Sequence, residues 1–145
     1  MSLGRYRIGR RGAFLALFGA AFILLGKSIV QAQQTALVRH VFRFALGLAP
    51  LWVYGMGWIL CGVIALVAGL RSRGSDAIGF AAAIVMPIIW SIVYLVAWAQ
   101  DDLGLRSLWE SSVVYLLIAG AIGIVAGMPE PPPNLPSIED LEDHG

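Results

Sequence analysis

Four apolar runs, each close to 20 residues long, make up most of this 145-residue chain, and no other feature restricts its fold as much. They cover about 12–30, 50–70, 77–99 and 108–128. A helix rises about 1.5 Å per residue, so roughly 20 residues cross the ~30 Å hydrocarbon core of a bilayer. In water such runs would need a polar covering, yet only 13% of the residues are charged, against about 25% in a soluble domain. Lipid must supply the exterior. Inside lipid every backbone N–H and C=O has to be satisfied within its own segment, which leaves helices for spans of this length. The expected fold class is therefore all-α, an integral membrane bundle of four transmembrane helices.

The connecting segments add detail. Arg5, Arg7, Arg10 and Arg11 form a basic head before the first span. Lys27 lies near the far end of that span, where its ammonium can snorkel to the headgroups. A cleavable leader also has a basic head and an apolar core, and Val30-Gln31-Ala32 resembles a cleavage site. Lys27 sits awkwardly between that core and that site, so the segment is expected to remain as a span. Over residues 35–49, Ala36, Arg39, His40, Arg43 and Gly47 recur at helical spacing. Val38, Val41, Phe42, Ala45, Leu46 and Ala49 recur on the opposite side. Two such stripes predict an interfacial amphipathic helix before the second span, with its cations at the headgroups. Pro50 breaks continuity and suits the first turn of the next helix.

Pro87 falls near the middle of the third span, where it removes a backbone donor and should bend the helix. Ser107 followed by Glu110 has the spacing of a capping box and predicts the start of the fourth helix. Pro129 ends that helix. The remainder, 129–145, contains Pro131-Pro132-Pro133 and the acids Glu139, Asp140, Glu142 and Asp143, and is expected to be an extended or disordered tail.

Basic residues set the expected orientation. Arg5, Arg7, Arg10, Arg11, Arg71 and Arg73 fall on one side, and Lys27, Arg39, Arg43 and Arg106 on the other. The head precedes the first span, which usually dominates, so both termini are expected in the cytoplasm and the protein in the cytoplasmic membrane. Lys27, Arg39, His40, Arg43, Trp52, Trp58, Trp98 and Trp109 are the residues expected at the membrane interface.

Candidate chemistry is sparse. Ion-coupled transporters keep an ionisable residue at mid-membrane, and spans two to four have none there. His40 stands beside Arg39 and Arg43 without a carboxylate in a matching pattern, and Asp101-Asp102 precede Gly104 as a solvated loop would. Cys61 is a lone cysteine in an apolar run, with no disulfide or metal cluster to join. Trp90, Tyr94 and Trp98 share one face of span three, as an interfacial anchor and bundle core would. No catalytic residue, metal or cofactor is expected. A net charge of +1 gives no footprint for nucleic acid. The expected partners are the lipid bilayer and either further copies of the chain or another membrane protein.

Small residues carry more information. Gly12, Ala16 and Ala20 repeat every fourth position in span one, Ala65 and Gly69 in span two, and Ala119, Gly123 and Gly127 in span four. Such stripes let helix backbones approach closely in lipid. Packing within one bundle and contact between subunits are both open readings of them.

The opening Gly4-Arg5-Tyr6-Arg7-Ile8-Gly9-Arg10-Arg11-Gly12, running into Ala13 to Gly26, resembles the start of small multi-span membrane proteins of actinobacterial phages. The resemblance covers about the first quarter of the chain and rests on the basic, glycine-rich head and the layout. Proteins of that kind are often grouped with holins, which accumulate in the host membrane and open it. The resemblance implies a non-enzymatic, holin-like protein acting by self-association. The alternatives are an accessory subunit of a larger membrane complex and a phage exclusion or immunity protein.

Overall fold

The structure, a computed structural model, describes residues 9–71, 76–101 and 104–129. Six helices follow one another there: α1 (Arg10–Gln31), α2 (Ala36–Val41), α3 (Arg43–Leu48), α4 (Leu51–Leu70), α5 (Asp76–Ala99) and α6 (Ser107–Gly127). No strand occurs among the described residues. α1, α4, α5 and α6 are each long and apolar enough to cross a membrane, and they match the four expected spans to within two residues at each end. The early arginines up to Arg7, together with Arg73, Asp102 and the acidic tail from Glu130 onward, lie outside the described residues.

Glycine determines how the first pair packs. Gly12, Gly19 and Gly26 on α1 face Gly69, Gly62 and Gly55 on α4, so the two helices run antiparallel. A seven-residue repeat returns the same face to a partner every two turns. At each level a glycine lies against the other helix's backbone: a Cβ built on Gly62 would stand 2.7 Å from the Gly19 carbonyl oxygen. One built on Gly69 would stand 2.5 Å from the Gly12 oxygen. Lipid tails are as apolar as leucine, so association in the membrane relies on this kind of close van der Waals contact.

This seam differs from the expected stripes. Gly12 and Gly69 are in it, the Ala16 amide lies close to Gly69, and Ala65 is wholly buried, but Ala20 points outward. The residue one turn beyond Gly12 that matters most is Leu15, which is wholly buried. A four-residue repeat drifts off the contact face, whereas the seven-residue repeat stays on it.

α5 lies against α4, with Tyr54 beside Trp90 and Ala68 beside Gly79. α6 lies against α5 and touches the rest of the bundle only lightly. Successive spans are antiparallel, so residues 9 and 129 sit at the same end of the bundle. Trp58 occupies the centre, 1% exposed, with the Phe22 ring at 4.7 Å edge-on and the Tyr115 ring at 6.0 Å. Trp58 was an expected interface residue, and this is a correction. Its indole lies eight positions into α4, too deep for the headgroups, and the rings of Phe22 and Tyr115 hold it in the bundle. Trp52, Trp98 and Trp109 are exposed and lie near the ends of their helices. Pro87 is fully buried, and α5 continues through it as one helix.

Candidate functional site

α5 and α6 are joined by a reciprocal pair of serines. The Ser91 hydroxyl donates to the Ser112 carbonyl at 2.9 Å, and the Ser112 hydroxyl donates to the Ser91 carbonyl at 2.8 Å. The two hydroxyl oxygens are themselves 3.0 Å apart. Both serines are buried. In an apolar surrounding each hydroxyl finds a partner only across the helix pair, so the clasp fixes the register of α6 on α5.

A second tie comes from the start of α1. The Arg11 guanidinium donates to the Ala126 carbonyl at 2.9 Å and lies 5.1 Å over the Phe80 ring. Ala126 belongs to the last turn of α6, whose carbonyls have no partner within the helix and carry the negative end of its dipole. Arg11 thus combines the expected basic head with a fixed contact to the last span. Nothing in the spacing of the sequence marks this pairing, because 115 residues separate the two groups.

The start of α6 departs from expectation. Ser107 and Glu110 form no capping box; the helix begins after Arg106 without a side-chain cap. The turn is organised further back, where the Leu105 amide donates to the Asp101 carboxylate. Asp101 is therefore engaged in the loop, and Gly104 takes the left-handed conformation (φ 68°) that closes it. The Ser107 carbonyl instead accepts from the Ser111 hydroxyl at 2.8 Å.

The small stripe expected on span four divides between two faces. Ala119 is buried in the bundle. Gly123 and Gly127 are exposed, and together with Gly120 they form an open strip on which an added Cβ would meet nothing within 4 Å. Four residues advance about 400° in a helix, so a stripe starting on the inner face turns outward within two repeats. Leu116, Leu117 and Ile124 share the outer face and are largely exposed.

Residues 36–48 fold as expected in outline, but as two helices joined at Phe42. The Thr35 hydroxyl accepts from the Val38 amide at the first turn. The apolar stripe does not face lipid alone. Phe42 packs with Trp90, stacked at 6.3 Å, and with Tyr94, edge-on at 5.2 Å. The Tyr54 hydroxyl donates to the Ala45 carbonyl at 2.7 Å. The stripe is thus largely covered by protein, since α5 runs about two turns past the level at which α4 begins and offers its flank. Arg39, His40, Arg43 and Lys27 are all exposed. Among the described residues no three His, Cys, Asp or Glu side chains come together as a metal site would require.

The chain matches no protein-family model, no curated protein and no solved structure.

Proposed function

We propose that this chain is a non-enzymatic, phage-type membrane protein of the cytoplasmic membrane that acts in a holin-like manner, by self-association through the outer face of α6. The observation that carries the reading is the contrast between two sets of glycines. Those of α1 and α4 are consumed in a backbone-to-backbone seam, whereas Gly120, Gly123 and Gly127 have nothing against them. Glycine in a helix interior costs about 1 kcal/mol relative to alanine, and within one chain Gly120 and Gly123 bring no packing in return. A second helix approaching that strip would gain the close contact that α1 and α4 already display. The face is also flanked by large apolar residues and bears no charge, as a surface sliding in lipid before assembly requires.

The arginine-rich head supports placing both chain ends in the cytoplasm, and a reporter fused after Gly145 checks it by reading as cytoplasmic. The function is tested by Gly123→Leu. Leucine inserts at least as well as glycine, so the span still forms, but its side chain holds a partner helix away. Cross-linking between chains and the loss of membrane potential on expression should both fall. If both persist unchanged, the self-association reading is wrong. A chain that is inert when expressed alone yet cross-links to another membrane protein belongs to a larger complex instead, and one that alters infection without killing is an exclusion protein.

A further inference from the structure

The segment from Ala36 to Leu48 presents three sets of side chains rather than two. Val38, Phe42, Ala45 and Ala49 are partly or wholly buried, and this is the side docked on α4 and α5. Arg39, His40 and Arg43 are a second, cationic set, and with Ala36 and Gly47 all five are exposed. Leu37, Phe44 and Leu48 are a third set, large and apolar, and are 56%, 46% and 71% exposed. The Arg39, His40 and Arg43 side chains make no ion pair or hydrogen bond with another described residue. The segment lies level with the end of α1 and the start of α4, beside the last turns of α5, which is headgroup depth for spans of this length.

We propose that this segment is a binding site for an anionic phospholipid in the leaflet opposite the chain ends. The lipid phosphate lies between the guanidiniums of Arg39 and Arg43, and its acyl chains run along Leu37, Phe44 and Leu48. The two arginines stand four positions apart on either side of Phe42, and each carries a fixed positive charge that attracts the lipid phosphate. A soluble anion would use the cationic set alone and leave the three large apolar side chains in water. An anionic lipid satisfies both sets with one molecule, because its charge and its chains are joined at the headgroup depth where the segment lies. Phe42 and Tyr54 anchor the segment to the bundle, so the arginines are held in place before the lipid arrives.

The test uses the full chain in phosphatidylcholine vesicles, with spin-labelled phosphatidylglycerol or spin-labelled phosphatidylcholine as the probe. The immobilised fraction of each reports its relative association with the protein. Phosphatidylglycerol should be preferred, and the preference should drop roughly fivefold for each arginine removed in R39Q and R43Q. R39K/R43K keeps the charges and should keep most of the preference, whereas R10Q/R71Q, at the other end of the bundle, should leave it intact. The proposal is overturned if R39Q/R43Q retains the native preference, if R39K/R43K loses as much as R39Q/R43Q, or if R10Q/R71Q abolishes it equally. Displacement of the lipid probe by added inorganic phosphate would also overturn it, in favour of a free-anion site.

Discussion

Adding one methyl group to the α1/α4 seam should loosen the whole bundle. In Gly62→Ala the new Cβ would stand 2.7 Å from the Gly19 carbonyl oxygen and 2.9 Å from the Ile23 amide nitrogen. Both are backbone atoms, so neither can rotate away. Relieving the shorter contact to an ordinary separation near 3.4 Å requires the helices to part by about 0.7 Å. A gap of that size forfeits roughly a quarter to a half of the dispersion attraction along the contact. Overpacking costs about 1–3 kcal/mol, and a clash with backbone that cannot rotate away belongs in the upper part of that range, about 2–3 kcal/mol, against a gain of about 1 kcal/mol from replacing helical glycine by alanine. The net expectation is a destabilisation of about 1–2 kcal/mol. Gly123→Ala, which meets nothing within 4 Å, should leave the isolated chain as stable as before or slightly more so. Equilibrium unfolding in mixed micelles with increasing sodium dodecyl sulfate measures both. Gly19→Ala acts on the same level of the seam, where its Cβ would stand 2.6 Å from the Gly62 oxygen. One separation relieves both clashes, so the double variant should cost clearly less than the sum of the singles. A Gly62→Ala chain as stable as the native one, or strict additivity with Gly19→Ala, would refute the backbone-contact reasoning.

Two further perturbations probe how α6 is held. Ser91→Ala and Ser112→Ala should each destabilise the chain, and the double variant should show a coupling of roughly 0.6–1.7 kcal/mol in the same unfolding assay; zero coupling would mean that the reciprocal bonds contribute nothing. Arg11→Gln should release the last turn of α6 by about 1 kcal/mol, read as roughly fivefold faster amide hydrogen exchange over the final residues of that helix. Unchanged protection there would show that the guanidinium contact to Ala126 is not holding the helix end.

Local composition was enough to determine the spans. Twenty apolar residues without a central charge have one stable arrangement in lipid, whatever surrounds them, so the four helices and their order followed from the residues alone. The amphipathic character of 35–49 was legible for the same reason, since helical periodicity belongs to the segment itself. The partners were not legible. Whether Gly19 or Ala20 lies at the seam depends on the rotation of α1 about its own axis, and in lipid no difference in polarity fixes that rotation. Only the fit of Gly12, Gly19 and Gly26 against Gly69, Gly62 and Gly55 decides it, and a seven-residue count in both spans would have pointed to it. Trp58 and Trp52 have the same chemistry six positions apart on one helix; packing against Phe22 and Tyr115 places one at the centre of the bundle, while the other stays at its edge. Likewise the Arg11 contact with Ala126 joins the two ends of the described chain and exists only because an even number of antiparallel spans returns the last helix to the start of the first.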